Sequence, residues 1–350
     1  MAAALPQEII DDILRRLSVR DLLRCRSVSK QWCSLIDGPE FVKMQLDYAL
    51  KTPSRLGAVI IVLDGSRDLH WINLYRHYAS KHLSINEPYY DISASCNGLL
   101  LLHYYDKGMI IWNPSTRWLR KLPTPIKHEF RKNVFYGFGY DHLGDDYKFA
   151  KTNSWKIICF PYVLLDSNHV CVVSTRNALH WVVWQNPKSW NEMFIVAFDL
   201  GKEECLEVPL PSFENQPTDI YFLDLGGSLC AVCNFIIPLS DYDSDSDWDS
   251  DYDSKSERVD VWMMKEYGVK ESWTKLFSIV RTEQTGKFNN MKPVSYLRAL
   301  ANDRILLVQD DDRFITYDLA GERVQEDADF CQPLRIMNSF ACVESLVGLD

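Results

Sequence analysis

A chain of 350 residues has room for two domains, and 47% apolar with 25% charged residues is ordinary soluble-globular composition. No apolar run approaches the ~18 residues of a membrane span, and the N-terminus lacks the basic and apolar regions of a secretory leader. Of the net charge of −10, seven units fall in one tract, on alternate residues from Asp241 to Asp253, and the rest of the chain, near −3, offers no surface for nucleic acid or an anionic membrane.

Residues 5–50 carry a helical period. Ile9, Ile10, Ile13, Leu14 and Leu17 recur at helical spacing, with Pro6 in the first turn. Asp11/Arg15 and Asp12/Arg16 are spaced as ion pairs on the polar face. Ser18 with Asp21 three residues on marks a second start, and Val19, Leu22, Leu23 and Cys25 form its apolar face. A third helix with Val28, Trp32, Leu35 and Ile36 stops at Gly38-Pro39, and Phe41, Met44 and Tyr48 indicate a short fourth. Seven basic against seven acidic residues across this region exclude a phosphate-binding three-helix module. Lys51 to Arg55 is the expected linker, and the change of period there predicts two separate cores, with a fragment from Gly57 to Asp350 folding alone.

Beyond the linker the pattern is short strands and turns. Leu99–Tyr104 and Met109–Asn113 flank Asp106-Lys107-Gly108, a hairpin signal. One unit recurs: an apolar strand, an aromatic followed by Asn or Asp, a turn, and another strand. It is centred on Trp112-Asn113, Phe198-Asp199 and Tyr317-Asp318, where the carboxamide or carboxylate can bond the backbone two residues on. The first two copies lie 86 residues apart, about two blades of a β-propeller, and the strand-rich length makes about six or seven blades. Ser240–Ser254 alternates Asp with Ser, Tyr and Trp, and is expected to be a solvated loop. Ser240, Ser244, Ser246 and Ser250 each precede Asp by three residues, so acidic-directed phosphorylation is the alternative role for the tract.

Other motifs are weak. Cys230 and Cys233 have half a zinc-site spacing, but residues three apart on a strand face opposite ways, and core cysteines are the better reading. Ten cysteines scattered through apolar runs suit a reducing compartment, the cytosol or nucleus. Gly137-Phe138-Gly139 lacks a third glycine and a following helix, so it marks a close strand approach rather than a dinucleotide site. His180 beside Trp181 is a strand residue, and the Asp tract lacks the glycine and glutamate of a calcium loop. No catalytic motif is found, and no metal or other cofactor is expected.

The run from Leu5 to Leu17, then Leu22 to Trp32, then Pro39-Glu40-Phe41, resembles an F-box. That resemblance implies docking to a Skp-type adaptor of a cullin–RING ligase through Leu5, Pro6, Ile9, Ile13, Leu14, Leu17, Leu22, Val28 and Trp32, although the pattern does not separate adaptor contacts from the unit's own core. The remainder resembles the type 1 F-box-associated interaction domain of plant F-box proteins. The stretches that carry it are Ser95-Cys96-Asn97-Gly98-Leu99-Leu100, Trp112 to Thr116, Tyr136 to Asp141, Ala178 to Trp181 and the long Val261 to Lys275. One departure is that Thr152-Asn153-Ser154-Trp155 follows Lys151 at once, where the family has a strand pair, so one blade is expected to be incomplete.

The resemblance therefore implies an α plus all-β chain: an F-box over 1–50 and a kelch-like β-propeller over 51–350. It implies a non-catalytic substrate receptor of an SCF-type ubiquitin ligase that recruits an unnamed target for ubiquitination and degradation. A carbohydrate hydrolase on the same scaffold would need convergent carboxylates or a metal, and no motif ties the acidic residues together. A third class, a scaffold that only sequesters the adaptor, would lack a target-binding patch on the β domain. Deleting 240–254 is expected to leave the thermal midpoint nearly unchanged, since like charges so close repel rather than fold. A fall of many degrees, or strong stabilisation by millimolar calcium, would overturn that expectation.

Overall fold

The computed structural model describes residues 6–62, 68–73, 80–85, 91–104, 108–122, 134–135, 137–148, 158–159, 163–164, 173–184, 193–238, 255–281, 295–300, 304–309, 313–319, 321, 323–326 and 336–348. The acidic tract with its four serines, Leu5, and the region of the expected strand-pair deletion after Lys148 lie outside them.

Four helices open the chain: α1 (Gln7–Arg15), α2 (Val19–Cys25), α3 (Lys30–Ile36) and α4 (Pro39–Leu50). Pro6 is the residue before α1 rather than a member of its first turn, and its carbonyl accepts from the Ile9 and Ile10 amides. The Ser18 hydroxyl accepts from the Asp21 amide and donates to the Asp21 carboxylate, which caps α2 reciprocally. Ser29 caps α3 through the Trp32 amide, so Val28 stands in the turn before that helix rather than on it. The Asp12/Arg16 pair forms at 2.8 Å, but Arg15 also turns to Asp12 instead of Asp11, which accepts from Gln7. The fourth helix is not short: its twelve residues make it the longest of the four.

Strands follow in antiparallel sheets. One holds β1 (Leu56–Val62), β2 (Leu69–Asn73) and β3 (Ser80–Leu83); the next holds β4 (Asp91–Cys96), β5 (Leu99–Tyr104), β6 (Gly108–Trp112) and β7 (Leu119–Lys121). Short pairs follow, β8 (Val134–Phe135) with β11 (Ile158–Cys159) and β9 (Gly139–Asp141) with β10 (Asp146–Lys148). A third large sheet contains β12 (Val163–Leu164), β13 (Val173–Thr175), β14 (Ala178–Trp184), β15 (Met193–Asp199) and β16 (Glu204–Val208). Then come β17 (Asp219–Leu225), β18 (Ser228–Pro238), β19 (Lys255–Met264) and β20 (Trp273–Arg281), and after them β21 (Ser295–Leu300), β22 (Arg304–Gln309), β23 (Arg313–Asp318) and β24 (Arg323–Glu326). The last strand, β25 (Ile336–Val343), returns to pair with β1, from Leu56↔Val343 through Val62↔Ile336.

Four sheets have the four-stranded meander of a propeller blade. Their first strands touch one another, β25 to β4, β17 to β21 and β21 to β25, and β4 also touches β9 and β17 also touches β13, as strands around a common axis do. The arrangement is β-propeller-like, and the C-terminal strand closes it.

The recurring Asn or Asp sits where expected. Asn113 Oδ1 accepts from Ser115 and Thr116 amides, Asp199 Oδ1 from Gly201 and Lys202, and Asp318 Oδ1 from Gly321. Each stands at the end of the third strand of its sheet, so the repeat marks the same turn in three sheets. Cys230 and Cys233 are buried in clusters on opposite faces of β18. Gly137 is a close approach, since a Cβ there would lie 2.5 Å from Leu179 Cδ1. Buried His180 bonds the Tyr267 hydroxyl at 2.7 Å through its Nε2, which ties β14 to the turn after β19.

The helical unit has a core of its own around Leu14, Leu22, Ile36 and Phe41, but α4 does not stay on its side of the expected linker. Leu46 and Ala49 of α4 are buried in one cluster with Leu56, Leu99, Leu101, Ile111 and Val347. Helix α4 carries apolar residues on two faces: Phe41 packs inward on the helical unit while Leu46 and Ala49 pack on the sheets. A fragment beginning at Gly57 would open this core, and is expected to be recovered only as aggregate or to melt well below the full chain. A midpoint equal to that of the full chain would restore the two-core account.

The C-terminal residues bind both parts. Fully buried Asn113 donates through Nδ2 to the carbonyls of Ser345 (3.0 Å) and Val347 (2.8 Å). Gly98, at φ +84°, leaves no room for a side chain against Ser345, whose hydroxyl donates to the Asn97 carbonyl. Replacing Asn113 by Ala strips partners from four backbone groups and is expected to cost roughly 2–4 kcal/mol. A drop of several degrees in the melting midpoint checks this, and an unchanged midpoint contradicts it.

Candidate protein-docking surfaces

The helical unit separates the nine residues singled out above. Leu14 and Leu22 are buried with Ile36 and Phe41, and Leu17 and Trp32 pack partly against them. These residues hold the unit together. Ile9 (46% exposed) and Ile13 (49%) remain outside it, one helical turn apart on α1, with Pro6 exposed just before the helix and Val28 63% exposed between α2 and α3. Such β-branched side chains left in water on a small helical unit are what a partner covers. Leu5 is outside the described residues.

Helix α4 fixes where this surface points. Buried Gln45 accepts from the Leu346 amide (3.4 Å) and donates to the Glu344 carbonyl (3.5 Å). Leu346 in turn packs on the core of α1–α3. Arg55 bonds Glu344 at 2.9 Å and the Arg16 carbonyl at 2.7 Å. The exposed face of α1 is therefore held at a set orientation to the ring of sheets.

A groove of about 1540 Å³ lies between α4 and the β6–β7 and β9–β10 turns. Its helix side is Val42, Lys43, Leu46, Asp47 and Leu50, which recur at helical spacing on one stripe. Its sheet side includes Arg117, Trp118, Arg120, Lys121, Tyr140 and His142. Lys43 Nζ lies 2.9 Å from Asp145 Oδ1, and the Tyr140 hydroxyl donates to the same carboxylate. The Lys43 contact holds Asp145 below the usual carboxylate range, and Asp145 holds the Lys43 ammonium above its ordinary value. Both are exposed, so this pair adds little stability. Cys96, partly buried against the neighbouring core, has its thiol pushed up to about 12 by burial, which keeps it neutral and unreactive.

Sequence reasoning did not find this groove. Its walls come from α4, the β6–β7 turn and the β9–β10 turn, which are distant in the chain. The one available signal was Arg117-Trp118-Leu119-Arg120-Lys121, a basic run interrupted by tryptophan.

The acidic groups at this end of the ring are engaged in turns and ties between sheets. Asp141 accepts from Asn177 at 2.8 Å and from the Leu143 amide at 3.0 Å, Asp224 accepts from Thr175, and Asn177 accepts from the His142 amide. Among the described residues no cluster of His, Cys, Asp and Glu is arranged to hold a metal. The arrangement offers surfaces for binding proteins.

Residues 3–44 match the F-box domain family, and residues 66–157 match the family described as F-box associated beta propeller domain. F-box protein CPR1 of Arabidopsis thaliana is 30% identical over 92% of this chain and 84% of its own length. F-box protein At4g22390 of the same plant is 29% identical over 83% and 78% of the two chains. F-box/kelch-repeat protein At3g23880, also from Arabidopsis thaliana, is 26% identical over 79% of each. The chain belongs to the plant F-box proteins, with an F-box at its N-terminus followed by an F-box-associated, β-propeller-like interaction domain.

Proposed function

We propose that this chain is the target-binding subunit of an SCF-type ubiquitin ligase, acting in the cytosol or nucleus. F-box proteins are generally substrate receptors of such ligases rather than enzymes. The observation that carries the reading is the pair Ile9 and Ile13, exposed on α1 within the F-box match while Leu14 and Leu22 fill the core. In this reading Pro6, Ile9, Ile13 and Val28, with Leu5, contact a Skp-type adaptor. Leu14, Leu17, Leu22 and Trp32 shape the unit that presents them. The adaptor brings the cullin and the charged ubiquitin-conjugating enzyme, and the receptor raises the local concentration of target lysines beside them.

The β domain, over 51–350, presents the target. We read it as a six-bladed ring in which the β8–β11 pairs form a reduced third blade. The contacts of β25 with β4, of β4 with β9, and of β13, β17, β21 and β25 in turn support that count. The target end is the one away from the helices. The β4–β5, β6–β7 and β9–β10 turns line the groove beside α4, and antiparallel strands alternate in direction. The C-terminal ends of β7, β14, β18 and β20, each followed by a long stretch of sequence before the next strand, then lie at the opposite end. Long connections on a rigid scaffold are where binding specificity resides. Free cysteines at seven described positions, buried Cys230, Cys233 and Cys342 among them, support a reducing compartment.

Replacing Ile9 and Ile13 together by Asp is expected to abolish binding of a purified Skp-type adaptor while leaving the melting midpoint unchanged. Leu22→Ala is expected instead to destabilise the helical unit by roughly 2–5 kcal/mol. Undiminished adaptor affinity in the isoleucine double variant would defeat the receptor reading.

A further inference from the structure

We propose that Ser27 is a phosphorylation site for an arginine-directed serine kinase, and that a phosphate there bars the adaptor from the F-box. The proposal rests on the receptor reading above and adds a control to it.

The sequence offers the pattern twice. A kinase whose cleft carries carboxylates selects a serine with an arginine three residues before it, and takes an apolar side chain just after it. Arg15-Arg16-Leu17-Ser18-Val19 is one copy and Arg24-Cys25-Arg26-Ser27-Val28 is the other. Ser29 also follows an arginine, Arg26, by three residues, but the next residue is Lys30.

The fold leaves one of these serines open. The Ser18 hydroxyl is committed to the start of α2, where it accepts from the Asp21 amide at 3.1 Å and donates to the Asp21 carboxylate at 2.6 Å. Val19 is buried, and Arg15 and Arg16 both turn back to Asp12. A phosphate on Ser18 would in addition stand against the Asp21 carboxylate. Ser29 is committed to the start of α3, where it accepts from the Trp32 amide at 3.1 Å. Ser27 caps no helix. It is exposed in the turn between α2 and α3, and its hydroxyl donates to the Arg24 carbonyl at 2.7 Å, a contact that water can replace. Val28, the apolar residue after it, is 63% exposed.

Presenting this turn to a kinase disturbs little. Its backbone is held by the Ser27 amide on the Arg24 carbonyl at 3.1 Å and the Val28 amide on the Cys25 carbonyl at 3.0 Å. Arg24 pairs with Asp21 at 3.2 Å and Arg26 with Asp37 at 2.8 Å, and all four side chains are exposed, so either arginine exchanges its carboxylate for one in the kinase at small cost. Drawing out Ser18 would instead pull Val19 from its buried place.

In the transfer, the Ser27 hydroxyl oxygen attacks the γ-phosphorus of ATP. The new P–O bond replaces the bond to the β-phosphate, ADP leaves, and the hydroxyl proton passes to the kinase's carboxylate base. The product adds about 1.5 to 2 negative charges beside Val28, on the surface assigned above to the adaptor. An adaptor covers Val28 only by stripping water from around it, and a phosphate monoester next to it opposes that. The core of Leu14, Leu22, Ile36 and Phe41 is untouched. By the same competition, an adaptor seated over Val28 screens Ser27 from the kinase.

The test uses the full chain, a purified Skp-type adaptor, ATP and a purified arginine-directed serine kinase. Mass spectrometry is expected to find phosphate on Ser27 and not on Ser18, with incorporation slowed by saturating adaptor. The phosphorylated chain is expected to bind the adaptor at least about tenfold more weakly, at an unchanged melting midpoint. The variant S27A, treated in the same way, is expected to keep full affinity. Phosphate on Ser18, or none on Ser27, overturns the site. Undiminished adaptor affinity in the chain phosphorylated at Ser27 overturns the control while the receptor reading stands. Failure of the untreated chain to bind the adaptor defeats the receptor reading, and the control with it.

Discussion

The pairing of β25 with β1 is the constraint on which the rest of the molecule depends. It closes the ring, and it delivers residues 344–348 to the underside of the sheets, where α4 lies. Those five residues are then used from every side. Asn113 holds the carbonyls of Ser345 and Val347, Gln45 reads the backbone of Glu344 and Leu346, and Leu346 enters the core of the helical unit. Without that strand pairing, the helical unit would keep only its contacts through α4 and the short turn at Pro53–Arg55.

F-box proteins are generally substrate receptors, and a substrate receptor works by geometry rather than chemistry. Target lysines must reach an enzyme held by a different protein, so orientation between the two docking surfaces matters as much as affinity at either. Here a buried amide network and a helix, α4, that packs on both cores stand in place of a hinge. The sheets are also stitched to each other at the helix end, by Asn97 to Tyr147, Asn177 to Asp141 and Thr175 to Asp224. Each of these bonds joins neighbouring sheets, so the end of the ring that carries the F-box is tied from sheet to sheet.

Much of this was legible in the amino-acid pattern, and the divide follows the range of the interaction. Local rules succeeded: caps at Ser18 and Ser29, a turn at each Asn or Asp after an aromatic, and opposed cysteines on β18. The F-box motif located the apolar residues of α1 but could not sort them, because Ile13 and Leu14 are chemically alike and differ only in what lies beside them. The length of α4 and its second buried face were missed because Leu46 and Ala49 find their partners in Leu99, Ile111 and Val347, far along the chain. Asn113 looked like a turn residue and is one. Its second role, through Nδ2 on a segment 232 residues away, leaves no local trace. The groove was invisible for the same reason.

Closure by the last strand also sets the order of events at the ribosome. Until residue 343 has emerged, β1 has an unpaired edge, and the apolar face of α4 lacks Val343 and Val347 from its core. The first helices can form early, since Leu14, Leu22, Ile36 and Phe41 are all within the first 41 residues. The joint between them and the ring is made last. A chain that lacked β25 would keep the core of its first helices but lose the joint that fixes them to the ring.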